Sequence, residues 1–179
     1  WTSQTSNTTQ SLYSVSFVDA NNGWAVGNIG TVLHSSDGGS TWTNQTSNTT
    51  NDLTDADFID ANNGWAVGRF GTIIHTSDGG STWTGQTSNT TLYLAAVDFF
   101  DINNGWVLSR NGTLLRTLDG GSTWAAQNSN TTVNLMGIAS LSASQAWVVG
   151  ESMVRLHTTN GGSTWTVQNQ PGARPYFFR

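Results

Sequence analysis

The chain repeats itself every 41 residues. Four copies of one octapeptide, SSDGGSTW, TSDGGSTW, TLDGGSTW and TTNGGSTW, begin at positions 35, 76, 117 and 158. The nine tryptophans fall into two columns with the same spacing: Trp1, Trp42, Trp83, Trp124 and Trp165, and Trp24, Trp65, Trp106 and Trp147. No insertion breaks this register. Such a chain folds as an array of like modules that bury their apolar faces against one another.

Each unit contains four short segments with the character of β-strands. In the first unit they are LYSVSFVD (12–19), GWAVG (23–27), GTVLHSS (30–36) and TWTNQTS (41–47), separated by the turn sequences ANN, NIG and DGG. No window has apolar residues at helical spacing. Four strands in about 40 residues are typical of a β-propeller blade, so the sequence predicts an all-β propeller of four blades. A β-solenoid is the alternative, although its coils are usually shorter.

The register predicts one propeller domain over residues 1–170 and leaves two segments over. The blades run through approximately 10–47, 51–88, 92–129 and 133–170. Residues 1–9 match a fourth strand without its first three, and an unpaired strand invites pairing. The tail 171–179 carries Tyr176, Phe177 and Phe178 in a row, which favours a lid on the ring or a contact with a neighbour. Three explanations stay open: a piece of a larger propeller, self-assembly through 1–9 and 171–179, or a segment lying outside a four-bladed ring.

The octapeptide has the chemistry of a tight turn. Asp37 is expected to accept hydrogen bonds from backbone N–H groups two or three residues ahead, the glycines permit positive φ, and Trp42 covers the turn. The pattern resembles the Asp-box, or BNR, repeat of sialidases and related propellers. The residues that carry this resemblance, all predicted to be structural, are Asp37, Asp78, Asp119 and Asn160 with Trp42, Trp83, Trp124 and Trp165.

A longer segment, NNGWAVGNIGTVLHSSDGGSTW, resembles the repeats of the photosystem II stability and assembly factor family. The resemblance covers residues 1–170. It implies a non-enzymatic propeller that binds other proteins outside the cytoplasm, while the resemblance to Asp-box propellers implies that the box lies away from the binding face. Members of that family commonly have more than four blades.

Composition excludes several classes of function. The chain has no Cys and no Lys, and 6 Arg against 11 Asp and Glu give a net charge of −5. This charge balance predicts that nucleic acid is not a partner, because a phosphate-binding surface needs a clustered basic face. No apolar run approaches the length of a membrane span. The chain begins at Trp1 rather than Met, which indicates a processed or excised piece, and a Lys-free surface rich in Ser, Thr and Asn favours an extracytoplasmic location.

Catalytic groups are needed once, whereas structural groups recur in every blade. The Asp-box carboxylates and the histidines His34, His75 and His157 recur, so neither set predicts a metal site, and no cofactor is expected. Glu151 is the only Glu, and glycoside hydrolysis usually needs two carboxylates in different environments. The sequence therefore predicts no enzyme; a sialidase-like or other glycosidase is the weaker alternative.

The binding face is expected where the units differ. The turn between the second and third strands holds Asn28-Ile29, Arg69-Phe70, Arg110-Asn111 and Glu151-Ser152. Arg and aromatic residues are enriched at protein-binding hot spots, which predicts a protein partner or a second copy of the chain. Tyr13 and Tyr93 are expected at the same mouth, where they would stack on a sugar in the lectin-like alternative. Candidate glycosylation sites in Asn-x-Thr are Asn7, Asn48, Asn89 and Asn130.

Overall fold

A computed structural model describes residues 3–168 and confirms the all-β prediction. The strands are, in chain order, β1 (Leu12–Phe17), β2 (Gly23–Gly27), β3 (Val32–Ser35), β4 (Thr43–Gln45), β5 (Leu53–Phe58), β6 (Gly64–Gly68), β7 (Ile73–Thr76), β8 (Thr84–Gln86), β9 (Leu94–Phe99), β10 (Gly105–Ser109), β11 (Thr113–Thr117), β12 (Ala125–Asn128), β13 (Leu135–Ser140), β14 (Ala146–Gly150), β15 (Arg155–Thr158) and β16 (Thr166–Val167).

These strands form four antiparallel sheets of four strands each, paired in chain order. We call the sheets blades 1 to 4. The segment GWAVG is the second strand of blade 1, with the predicted bounds, and all five residues are buried. The outermost strand is shorter than predicted, spanning Thr43–Gln45 rather than 41–47. The tryptophan that precedes it lies edge-on against Phe17 instead of continuing the ladder.

The blades stand side by side in an arc. Their first strands are neighbours in the order β1, β5, β9 and β13. Three apolar clusters fill the spaces between blades 1 and 2, 2 and 3, and 3 and 4. At each end of the arc the corresponding positions are exposed, as shown by Phe17 at 44% and Trp147 at 41%. The described residues therefore form four consecutive blades of a propeller without closing the ring.

Tryptophans of the GWAVG column occupy the centre of each contact. Trp24 of blade 1 is fully buried and stacks on Phe58 of blade 2, with ring centroids 3.8 Å apart. Its indole N–H donates to Gly79 O at 3.1 Å, so the polar atom of a buried ring is paired. His34 stacks on the opposite face of Trp24. The apolar content of the chain is low, but these large rings concentrate it where the blades meet.

The Asp box pins the turn between the third and fourth strands, with a different bond pattern from the predicted one. Asp37 accepts hydrogen bonds from the N–H and hydroxyl of Thr41, four residues ahead, at 2.8 and 2.7 Å. The N–H two residues ahead, that of Gly39, instead donates to Ser35 Oγ at 2.8 Å. The hydrogen bonds from Thr41 hold the pKa of Asp37 below its ordinary value. In the fourth copy Asn160 Oδ1 likewise accepts the Thr164 N–H at 2.9 Å, whereas Asn160 Nδ2 donates to the Thr164 hydroxyl at 2.9 Å.

The chain segments that precede and follow the blades are only partly described. Residues 3–9 contain no strand. They lie against blade 1, where Asn7 Nδ2 donates to Trp42 O at 3.1 Å. The tail 171–179, with its three aromatic residues, lies outside the described residues, as does Trp1. No helix in the described part of the chain has the length and apolar character needed to span a bilayer.

Candidate functional site

The turns between the second and third strands have an unusual backbone. Their middle residue is left-handed in every blade, with φ of 55° at Ile29, 58° at Phe70, 69° at Asn111 and 53° at Ser152. Left-handed φ is strained for a β-branched or bulky residue, and such strain clusters at functional sites. The turn displays these side chains to solvent, and Phe70 is 68% exposed. This row of turns forms one rim of the arc.

Two arginines and a tyrosine meet on this rim. The guanidinium carbon of Arg110 lies 4.2 Å from the centre of the Tyr93 ring, and that of Arg69 lies 5.8 Å from it. Arg69 also forms an ion pair with Asp52, with Nε 3.0 Å from Oδ2. A tyrosine ring close to two cations is a favourable cation–π arrangement and restrains both long side chains. The Arg69–Tyr93–Arg110 cluster thus presents positive charge beside an aromatic ring.

Polar groups of blade 4 continue this cluster. Asn134 Nδ2 donates to Glu151 Oε1 at 2.9 Å, and the Asn111 N–H donates to Asn134 Oδ1 at 3.3 Å. A cavity of about 180 Å³ is lined by Tyr93, Arg110 and Glu151, together with Leu135 and Met136. The site can therefore offer cationic, aromatic and hydrogen-bonding groups to one extended ligand.

Tyr13 does not belong to this cluster. Its hydroxyl donates to Asn28 Oδ1 at 2.6 Å. It lines a separate groove on the free face of blade 1, with Val15 and Trp42. The two tyrosines stand in different repeat columns, because Tyr93 aligns with Asp52 while Tyr13 aligns with Thr54.

Sequence reasoning missed two members of the rim, Asp52 and Asn134. Both belong to the column that Tyr93 occupies, which reads Ser11, Asp52, Tyr93 and Asn134. This column immediately precedes the first strand and differs in every blade. This column lies next to the variable turn, because the Arg69 N–H donates to Asp52 O at 2.9 Å. The column and the turn therefore form one surface. A search for every fully variable column would have found it.

The candidate glycosylation asparagines take part in the backbone turns. Asn7, Asn48, Asn89 and Asn130 all have φ between 56° and 59°, a conformation that asparagine tolerates well. Asn48 Nδ2 donates to Trp83 O at 2.9 Å, as Asn7 does to Trp42. The repetition of these residues is thus explained by the turn, and their glycosylation stays a prediction.

The repeated histidines lie on tryptophan rings. His75 stacks on Trp65 with ring centroids 4.7 Å apart, and burial lowers the pKa of His75. Its Nε2 is buried and has no hydrogen-bond partner among residues 3–168, which suits a neutral imidazole. Within the same range, no group of three or more His, Asp or Glu side chains is arranged to hold a metal ion.

Carboxylates on the first strands link neighbouring blades. Asp57 Oδ2 accepts the N–H of Phe99 at 2.7 Å, and Asp98 Oδ2 accepts that of Ser140 at 2.7 Å. Burial raises the pKa of Asp57 to about 6 and also raises the pKa of Asp98. Both groups are engaged with a neighbouring strand, so their perturbed pKa values report blade packing.

A family model described as photosynthesis system II assembly factor YCF48 matches residues 1–92 and 81–172. The chain belongs to this YCF48 family. No curated protein matches the chain in sequence. Among solved structures, YCF48 bound to D1 peptide is 22% identical, with a TM-score of 0.74 over 94% of this chain and 56% of that one. YCF48 from Cyanidioschyzon merolae is 19% identical, with a TM-score of 0.73 over 94% and 59%. The chain thus spans little more than half the length of these structures.

The same fold occurs in enzymes. The GH74 xyloglucanase from Xanthomonas campestris is 17% identical, with a TM-score of 0.69 over 90% of this chain and 31% of that one. At this identity the likeness extends to the propeller fold alone. This likeness therefore assigns no activity to the present chain.

Proposed function

We propose that this chain is a non-enzymatic scaffold that binds a protein segment on the rim formed by Arg69, Tyr93 and Arg110. The observation that carries the proposal is the cluster itself: two guanidiniums held against one tyrosine ring beside an exposed Phe70. Arg and aromatic groups dominate binding hot spots, and guanidinium groups favour carboxylates. The ligand is then an extended segment with a carboxylate and an apolar side chain.

Two further observations support this proposal. The chain belongs to the YCF48 family, and one YCF48 structure holds a D1 peptide. The recurring carboxylates of the Asp boxes are engaged in turns, and Glu151 is bonded to Asn134 on the rim. An extracytoplasmic location is part of the proposal and is supported by the Lys-free, Ser-, Thr- and Asn-rich composition.

Titration with synthetic peptides tests the rim directly. A peptide with an acidic side chain next to an aromatic residue should bind, and Arg110→Gln should weaken it by about tenfold, the effect of losing one charge-assisted contact. Leu118→Glu lowers the net charge by the same amount at an exposed Asp-box turn, at the opposite ends of the strands from the rim, and should leave affinity within about twofold. Equal loss in both variants would indicate a net-charge effect and contradict a rim site.

The lectin-like alternative predicts glycan binding, which a glycan array measures. A glycan array would show binding that depends on an aromatic face, so Tyr93→Ala would reduce it while Arg69→Gln would not. Turnover of a glycoside that is lost on Glu151→Gln would instead indicate an enzyme.

A further inference from the structure

The two ends of the arc present the two halves of the contact that joins neighbouring blades. The blade 1 face consists of Leu12, Val15, Phe17 and Trp42, and the blade 4 face consists of Trp147 and Val149. At the three internal contacts the residues in the Trp147 column are no more than 2% exposed, whereas Trp147 itself is 41% exposed. Val15 and Val149 are 59% and 50% exposed. Each end therefore carries apolar surface whose repeat counterparts are buried.

Both free halves already have the geometry of the joined contact. Trp147 stacks on His157 at 4.4 Å and 16°, close to the 4.6 Å and 21° of Trp24 on His34. On the other end, Phe17 meets Trp42 edge-on at 5.9 Å and 88°, as Phe58 meets Trp83 at 5.8 Å and 83°. Because these rings are held in place before any partner arrives, little side-chain entropy is lost on docking.

A polar slot on the blade 1 face is also open. At the contact between blades 1 and 2, the side chain of Gln45 from blade 1 fills the space beside Gly80 of blade 2. A Cβ added to Gly80 would lie 1.9 Å from Gln45 Oε1. Beside Gly39, the equivalent glycine of blade 1, the nearest atoms belong to Trp42 and Phe17, at 3.7 to 3.9 Å. In blade 4 the repeat counterpart of Gln45 is Gln168. The slot on one end and the glutamine on the other are thus matched.

We propose that two copies of this chain join end to end, with blade 4 of one copy packed on blade 1 of the other. Trp147 would stack on Phe17 of the second copy, as Trp24 stacks on Phe58 within the chain. A contact between unlike faces closes into a ring when the rotation fits. Two copies of four blades give eight, within the range of roughly four to eight blades that propellers adopt. This surface is separate from the rim and does not depend on the function proposed for it.

Residues 3–9 have a place in this assembly. Asn7 Nδ2 donates to Trp42 O, just as Asn48, three residues after the outermost strand of blade 1, donates to Trp83 O. Residues 3–9 therefore lie where the outermost strand of a preceding blade lies, and β16 holds that place in blade 4. Residues 3–9 must move aside when the copies meet, because Gln168 can fill the open slot only if β16 stays in place. The stacking of Trp147 on Phe17 involves β14 and β1, which lie inward of both segments.

One residue of the blade 4 end opposes the contact. Arg155 is exposed and stands in the column of Val32, Ile73 and Leu114, each no more than 1% exposed. A guanidinium carried into this space loses hydration, so it weakens the docking. Arg155→Val should therefore lower the dissociation constant of the dimer by about tenfold, the effect of burying one aliphatic side chain instead.

A complementation experiment tests the pairing of unlike faces. Sedimentation of the 179-residue chain should show a species of twice the 19.1 kDa monomer mass. Val15→Arg blocks only the blade 1 face and Val149→Arg only the blade 4 face, so each variant alone should dissociate, with a dissociation constant raised about 100-fold. Mixed in equal amounts, the two variants should associate again, because each retains the face that the other has lost.

Controls separate this result from misfolding and from other contacts. Leu118→Arg adds the same charge at an exposed Asp-box turn away from both ends and should leave the dimer intact. Circular dichroism should be the same for all variants. A wild-type chain that stays monomeric at about 100 μM, where a contact of about 5.5 kcal/mol is half formed, would overturn the proposal. So would a dimer lost in Val15→Arg but kept in Val149→Arg, since that pattern requires two like faces.

Discussion

The contact between blades 2 and 3 and the contact between blades 3 and 4 fill the same space with different side chains. In the first, Trp65 lies between His75 and Phe99, with centroids 4.7 and 3.5 Å away. In the second, Phe99 is replaced by Ser140, and Trp106 packs directly on Trp165 at 5.4 Å and 77°. The comparison shows that the space needs aromatic volume and does not need one particular set of rings.

A second substitution accompanies the loss of the phenylalanine. In blade 3, an added Cβ at Gly105 would lie 2.4 Å from the Phe99 ring, so only glycine fits beside it. In blade 4 the corresponding pair is Ala146 and Ser140, and Ala146 is fully buried. The glycine of GWAVG is therefore a consequence of the phenylalanine on the neighbouring strand, and the two positions change together.

The polar bonds also differ between the two contacts. Trp124 Nε1 donates to Gln86 Oε1 at 3.2 Å, whereas Trp165 Nε1 is buried and has no acceptor among the described residues. Leaving a buried donor unpaired costs about 1–3 kcal/mol. The contact between blades 3 and 4 thus retains its apolar packing but gives up part of its hydrogen bonding, and we expect it to be the weaker one.

Removing the middle ring should give the largest effect. Phe99→Ala takes away the ring that separates Trp65 from Trp124 and should lower the free energy of unfolding by about 3–5 kcal/mol. Ser140→Ala, in the same column of blade 4, removes only the hydroxyl that bonds to Asp98 and should cost about 1–2 kcal/mol. Chemical denaturation of the two variants measures the difference. Equal losses would contradict the view that aromatic volume dominates the contact of blades 2 and 3.

The carboxylates at the two contacts should respond differently to pH. Asp57, with a pKa of about 6, binds more protons in the folded than in the unfolded chain between roughly pH 4 and 6, so stability falls as pH rises through this window. The raised pKa of Asp57 corresponds to at most about 3 kcal/mol of lost stability at pH 7, which is the upper limit for the gain from Asp57→Asn.

Below pH 4 the gain from Asp57→Asn should disappear, because the wild-type carboxyl is then protonated as well. Asp98→Asn is the matched control: Asp98 receives both the N–H and the hydroxyl of Ser140, and these bonds favour its charged form. Its substitution should give a smaller gain. Thermal unfolding between pH 4 and 8 makes the measurement, and a gain from Asp57→Asn that does not change with pH would show that the pKa of Asp57 is not raised.

The repeat made the fold predictable, and the same repeat limits what the sequence shows about the site. The bounds of GWAVG and the position of the Asp box follow from local turn chemistry, and the same turn residues recur in every repeat. The stacking of Trp65 on Phe99 could not be predicted in this way. Residues that recur every 41 positions do not show which face of its blade each side chain occupies. The rim cluster was only half predicted, since Asp52 lies beside Arg69 only after the chain has folded back along two strands.

The coupling between Gly105 and Phe99 gives the smallest effect and the sharpest test. Gly105→Ala alone should cost about 1–3 kcal/mol, because the new methyl group overlaps the Phe99 ring and the packed sheet cannot move away freely. In a Phe99→Ser background the same change should cost much less, since blade 3 then carries the pair found in blade 4. The double-mutant cycle measures this coupling energy as the difference between the two costs. If the costs are equal in both backgrounds, the glycine is required by the backbone of the strand, and Ala146 in blade 4 must be accommodated in some other way.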